Sequence, residues 1–450
     1  MQKLINRLTK SAFTMAAAAL LLPSQAEAQT RITLDEAIRQ GLEASKTLKI
    51  SESKIKASEA RTQQINDASL PSVKITSGYS RLSNNIPALV FPGSEHPLVV
   101  NYPNNYVNRV TVSQLLYQGN KEKYSEQSQE YLTKASQFDY EKDKSEVVYN
   151  VAAAYYNIYK LEATKRLLAE THNQVDAQLK QTRNFENRGL ATHNDVLKIQ
   201  LQLSNVELAQ VDVTNNLEVA NYNLGIMLGQ AEGTNIQIDT TQLFQPKTLP
   251  VMNEYMQQAL AARADLKAAD WRSKSATERT RVAKSAYYPQ IGLSGNYEIN
   301  NPNHRQFPLV DKFKNTWDLG IGVTWDVSSL YTVKHSVSEA TAQQVQSQLA
   351  FDQTTDAVKM EVNQSYVAYK QSLEKIALNR KAVEQAQENS RMFESRYKNN
   401  VALTTDVLDA NVALLQSKVN LETARADAEL AYQKLLKSTG TSAYSNDNKN

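Results

Sequence analysis

Two carboxylates three residues apart, Asp406 and Asp409, are the side chains of this chain best placed to act on charge. They lie in Arg396–Ala410, RYKNNVALTTDVLDA, a short turn between two segments of helical character. At i and i+3 on the first turns of a helix they share one face. Acidic residues also suit a helix N-terminus for local reasons alone, with Thr404 or Thr405 as the cap. If three copies face a common axis, the pair becomes two stacked rings of carboxylates, which favour cations and disfavour anions.

A related turn occurs earlier, at Phe185–Ile199, FENRGLATHNDVLKI. Asp195-Val196-Leu197 stands there where Asp406-Val407-Leu408 stands later, but Lys198 replaces Asp409. The chain therefore makes one kind of turn twice, and the second is the more acidic. Gly189 and Asn400 suit left-handed turn positions. The residues around them, Gly189-Leu190-Ala191-Thr192 and Asn400-Val401-Ala402-Leu403, read as exposed tips.

Other chemistry finds no support. The five histidines, His96, His172, His193, His304 and His335, are scattered without metal-ligand spacing, and cysteine is absent. This gives no thiolate or disulfide, and neither a cofactor nor a metal is expected. His193 stands near Asp195, but no nucleophile or third group accompanies them. Gly320-Ile321-Gly322 lies in a strand pattern, where small residues suffice as explanation. The near-balanced net charge of +3 gives no sign of nucleic-acid binding.

The elements that carry the turns are long. The 450 residues contain only 13 glycines and 11 prolines, and mean hydropathy is −0.52, too polar to fill one large core. Residues 1–28 read as a signal peptide: Lys3, Arg7 and Lys10, then apolar Ala12–Leu22, then Ala26-Glu27-Ala28. No later segment is apolar over the ~18 residues that a transmembrane helix needs.

The chain then repeats itself. Glu36, Gln40, Leu42, Leu48, Lys49, Pro71 and Tyr79 recur in register as Glu254, Gln258, Leu260, Leu266, Lys267, Pro289 and Tyr297. The first repeat, 29–229, reads as an opening helix over 34–68, strands at 72–81 and 106–116, a long helix over 121–186 and a helix over 193–228. A linker follows at 230–250. The second repeat, 251–440, reads as a helix, strands at 290–300 and 316–327, a long helix over 331–398 and a helix over 403–438. Residues 441–450 read as a disordered tail. Each long helix, uninterrupted by Gly or Pro, would extend ~100 Å.

Two periodicities mark these elements. Val362, Tyr369, Ile376, Val383, Ser390 and Tyr397 step by seven, as do Val407, Leu414, Leu421, Ala428 and Leu435, and also Leu403, Ala410, Ser417, Ala424 and Ala431. This is a coiled-coil seam with large and small residues on separate lines. In Trp317–Val327 apolar and small or polar residues alternate, which puts them on opposite faces. Trp317 and Trp325 stand on the apolar face about one membrane-barrel height apart, as interfacial aromatics would. Four strands per chain are too few to close a barrel. Three chains would supply twelve.

These features together, with Arg396-Tyr397 and Thr405-Asp406-Val407-Leu408-Asp409-Ala410 above all, resemble the TolC-like outer membrane efflux proteins from Leu34 to Gly440. The resemblance implies a mixed fold of α coiled coil and transmembrane β-barrel. A homotrimeric twelve-stranded barrel in outer-membrane lipid would be continuous with a twelve-helix α-barrel in the periplasm. It implies a passive exit duct, with no enzymatic activity, in a tripartite efflux or type I secretion system. Its partners would be a periplasmic adaptor (membrane fusion) protein docked at the tips and an inner-membrane pump of RND, ABC or MFS type. It places the channel constriction at Asp406 and Asp409, and gate-locking bonds at Asp195 and Tyr397. The family's lock arginine matches Ala402 and is absent here. Either the lock is weaker or another residue, such as Arg188 or Lys398, substitutes. The competing reading is an exported coiled-coil scaffold or stalk with no channel.

Overall fold

The computed structural model describes residues 31–85, 92–93, 101–231, 234, 236–239, 247, 249–399 and 401–441. The expected signal peptide, Asn400, most of the linker and residues 442–450 of the expected tail lie outside the described residues. The chain divides into two compact units, one of Met1–Ala44, Asn150–Lys247 and Ser372–Leu430, the other of Ser45–Tyr149, Thr248–Gln371 and Ala431–Asn450.

In chain order the elements are β1 (Arg31–Ile32), α1 (Leu34–Ala44), α2 (Lys46–Asp67), β2 (Ser72–Arg81), β3 (Asn104–Gln118), α3 (Lys121–Glu186), α4 (His193–Leu228), β4 (Gln237–Ile238), α5 (Met252–Ala262), α6 (Ala264–Ser285), β5 (Gln290–Asn300), β6 (Lys314–Thr324), α7 (Ser329–Lys398) and α8 (Thr404–Thr439). Two differences from the sequence reading have local causes. The opening helix is broken at Ser45, whose ψ of 114° is not helical and whose hydroxyl accepts from the Leu48 N–H to start α2. Arg263 makes the same break between α5 and α6, with ψ 125°. Its guanidinium grips Asp265 and Glu361. The last strand ends at Thr324, short of the expected 327. Asp326 there accepts from the N–H and hydroxyl of Ser328, which begins the turn into α7.

In the first unit Ala37 and Ile38 of α1 are buried, as are Val151, Ala152, Ile158, Leu224 and Leu228. The approach is close: a Cβ on Gly41 would lie 2.6 Å from Val151 Cγ2. The Tyr155 hydroxyl bonds the carbonyls of Ile32 and Asp239, tying down the short parallel pair β1–β4. Burial pushes this hydroxyl's pKa up to about 12. Further along, Ile376 packs with Leu421, Ala424 and Ala428, and Tyr397 and Val407 are also buried. In the second unit Val358, Val362, Tyr369 and Leu435 are buried. The seven-residue lines on α7 and α8 are thus the buried ones. Val383, Leu414, Ser417 and Ala431 are half-buried, and Leu403, which precedes α8, is exposed.

The second unit also holds an antiparallel sheet in the order β2-β3-β5-β6. Its register sets Ile75, Val110, Tyr297 and Trp317 in one cross-strand row, and Val73, Val112, Gly295 and Leu319 in the next. The other face carries Thr76, Arg109, Glu298 and Thr316 in a row. The apolar face is uncovered: Ile75 is 76% exposed and Trp317 73%. Among the described residues no strand pairs with the outer edge of β2 or of β6. Trp325 lies just beyond β6, where its indole N–H donates to the Tyr287 carbonyl at 3.1 Å. No described helix is long and apolar enough to cross a membrane.

Candidate constriction at the paired helix turns

Both turns close in the same way. Leu190 N–H donates to the Phe185 carbonyl at 2.8 Å, and Val401 N–H to the Arg396 carbonyl at 2.9 Å. This is the six-to-one closure of a helix C-terminus. Gly189 supplies the left-handed residue in the first turn, with φ 71°. The tip residues Gly189, Leu190, Thr192, Val401 and Leu403 are exposed, and Ala191 and Ala402 half-buried. Arg188 and Lys398 are exposed as well.

The starts of the following helices differ. Thr192 caps α4: its hydroxyl accepts from Asp195 N–H at 3.2 Å, and Asp195 accepts from Thr192 N–H at 3.0 Å. This is a full capping box. The Thr192 hydroxyl also donates to Asp195, holding that carboxyl below its ordinary pKa. The Thr192 N–H, the Thr404 hydroxyl and the nearby Lys198 cation add to the effect. Thr404 begins α8, so part of this effect comes from the second turn. At the second turn neither Thr404 nor Thr405 is the cap, because α8 already includes both. Leu403 holds the cap position, fixed by the shared turn length, and has no hydroxyl to offer. Asp406 keeps only the reciprocal half, accepting from Leu403 N–H at 3.3 Å. Asp406 is half-buried and Asp409, one turn on, is exposed. Val407 and Ala410 beside them turn into the core.

Tyr397 is not joined to Asp195. Its hydroxyl lies 2.6 Å from that of Thr182 on α3, a fully buried side chain. Thr182 gives its single proton to the Gln178 carbonyl, so Tyr397 is the donor. The Phe185 ring packs alongside, 5.9 Å between centroids. His193 Nδ1 pairs with Glu186 across the first turn at 2.8 Å. Below the turns Val175, Leu179, Val196 and Ile199 form an apolar cluster.

A buried polar layer next to Tyr397 escapes sequence reasoning. Asn411 accepts from Ser390 at 2.9 Å and from Gln174 at 3.2 Å, and donates to Gln178 at 3.3 Å. Gln174 also donates to Glu394. The Gln178 Nε2 is buried without a partner. It lies beside a cleft of about 160 Å³ lined by Gln174, Gln178, Gln181, Glu394, Tyr397 and Val407. A signal existed: Ser390 is the polar member of an otherwise apolar seven-residue line.

This frame of long helices and paired turns matches known proteins. The family model described as outer membrane efflux protein matches residues 37–230 and 255–441. The chain belongs to the outer membrane efflux protein family. Over 319 residues, 68% of this chain and 71% of the relative, it is 26% identical to outer membrane protein TolC of Vibrio cholerae. To TolC of Escherichia coli K12 it is 24% identical over 297 residues, 64% of this chain and 59% of the relative. Among solved structures the fold is similar to the Campylobacter jejuni CmeC outer membrane channel, with TM-score 0.78, 17% identity, and 91% of this chain and 85% of that one covered. It is also similar to the outer membrane protein VceC of Vibrio cholerae, with TM-score 0.76, 16% identity, and 90% and 96% covered. As an outer membrane efflux protein, the chain resides in the outer membrane and serves transport.

Proposed function

We propose that three copies of this outer membrane efflux protein form the exit duct of a tripartite efflux or type I secretion system. The observation that carries the reading is the sheet: four strands, one face apolar and exposed, both outer edges unpaired among the described residues. Such a sheet aggregates in water. Closed with two copies into twelve strands, it has no edges, an apolar exterior and a polar lumen. Trp317 and Trp325 then stand at the membrane interfaces. Along α4, Leu197, Leu201, Leu208, Val211, Val219, Tyr222 and Ile226 are exposed, at spacings of a helix seam. A neighbouring copy covers that seam, and the two tandem repeats supply four helices per chain to a twelve-helix wall.

In this trimer Asp406 and Asp409 form the constriction, and the turns form its rim. Tyr397, bonded to Thr182, and Asp195, which caps the first turn and lies near Thr404, hold the rim closed. The tips from Gly189 to Thr192 and from Asn400 to Leu403 receive a periplasmic adaptor, which links the duct to an inner-membrane pump of RND, ABC or MFS type. Conduction is passive. The purified protein is expected to run as a heat-sensitive trimer and to conduct ions across planar bilayers. A protein that stays soluble and monomeric without detergent would instead be a scaffold.

A further inference from the structure

The polar face of the sheet carries a charge cluster that the constriction does not involve. Glu298 on β5 lies cross-strand from Arg109 on β3 and from Thr316 on β6. It is only 2% exposed, on the face that the duct reading turns toward water. The cover comes from its own chain, the 301–313 loop between β5 and β6. Arg305 in that loop reaches back over the polar face to Asp318 Oδ2, with its other nitrogen 3.3 Å from Glu298 Oε1. Arg109 Nη2 stands 2.8 Å from the same oxygen. No N–H is aligned on Oε1, so charge rather than a directed bond holds it. Asn300 donates to Oε2 at 2.9 Å.

The loop is tied down before it reaches Arg305. Asn301 exchanges backbone hydrogen bonds with Tyr106. The Asn303 side chain donates to the Lys314 carbonyl at 2.9 Å and to the Thr316 hydroxyl at 3.3 Å, and accepts from Arg305 N–H at 2.9 Å. Tyr102 donates to the Leu309 carbonyl further along. Thr316 and Asp318 both belong to the polar face, so Asn303 and Arg305 lie across that face, while Phe313 at the end of the loop packs on Tyr106 of the apolar one. The cluster joins two guanidinium groups to two carboxylates and is neutral within each chain.

We infer that the 301–313 loop is a strap across the lumen face, held down by Arg305, which limits the size of solute that passes the loop end of the barrel. The inference rests on the duct reading, in which the polar face lines a lumen. Three straps form a collar whose charges cancel chain by chain. The collar therefore sorts solutes by bulk, whereas the Asp406 and Asp409 rings sort them by charge.

The cysteine-free chain permits a direct test. Ser294→Cys places a thiol on the polar face further from the loop, and Leu319→Cys places one on the apolar face. Intact cells are treated from outside with a small sulfonated maleimide or with a polyethylene glycol maleimide. The small reagent is expected to label Ser294→Cys readily and the polymer slowly. Adding Arg305→Gln is expected to speed polymer labelling about tenfold, as breaking an ion pair frees the loop. Asn303→Ala, which unties the loop without changing a charge, is expected to act in the same direction. Polymer rates unchanged by both variants overturn the strap. Equal labelling of Leu319→Cys and Ser294→Cys by the small reagent overturns the duct reading instead.

Discussion

The hydroxyl of Tyr397 donates to Thr182, 2.6 Å away, although 215 residues separate them in the chain. It is the last buried member of a seven-residue line on α7, and the only one placed to bond across to α3 at the height of the turns. Tyr397→Phe removes this bond and leaves Thr182 still donating to Gln178. The loss is about 1 kcal/mol per chain. Basal single-channel conductance, or the frequency of opening, is expected to rise several-fold in bilayers. An unchanged record would leave Tyr397 as a packing residue.

Asp406 and Asp409 share a face, but only Asp406 takes part in holding the helix start. Replacing both by Asn is expected to cut cation preference markedly and to relieve block by divalent cations. Asp409→Asn alone should change selectivity without altering thermal stability, since that carboxylate is exposed. Reversal potentials in a salt gradient measure the first effect and thermal melting the second.

Asn411 is the hub of the buried polar layer. Asn411→Leu leaves the Gln178 amide and the Ser390 hydroxyl without their partner. The expected cost is about 1–3 kcal/mol per chain, read as earlier loss of the trimer on heating. A variant as stable as the parent would show that water enters the adjacent cleft and replaces the amide.

Asp195 makes the first turn sensitive to acid. Its folded pKa lies below the ordinary 3.8, so the cap's contribution is complete above pH ~4. It is lost as pH falls through the depressed value. Hydrogen exchange at the Asp195 amide, corrected for its intrinsic rate, should therefore accelerate on acidification below pH ~4. In Asp195→Asn, whose amide does not titrate, the response should be flat. A parent as flat as the variant would remove the carboxylate from the cap.

Some features could be read before any fold was known, because they are local. The step of seven marks the buried line of α7 from Val362 to Tyr397. The step of two separates Trp317, Leu319 and Ile321 from Asp318 and Gly320. Turn chemistry placed Gly189, and the Phe185 and Arg396 turns do close alike. Where local reading missed, a competing local bond had won. Ser45 caps α2 and breaks the opening helix. Asp326 turns the chain back before β6 reaches 327. Leu403, not a threonine, sits at the cap of α8.

The order of residues thus settles the kind of element at each point, the double turn and the two unlike faces of the strands. Periodicity and capping act within a few residues, so the linear order already contains them. Which polar groups meet depends on packing between distant segments. Tyr397 goes to Thr182, Asn411 gathers Gln174, Gln178 and Ser390, and Arg305 folds back over Glu298. Those choices depend on which helix or loop lies within about 3 Å of a given polar atom, a distance that no local pattern in the chain encodes.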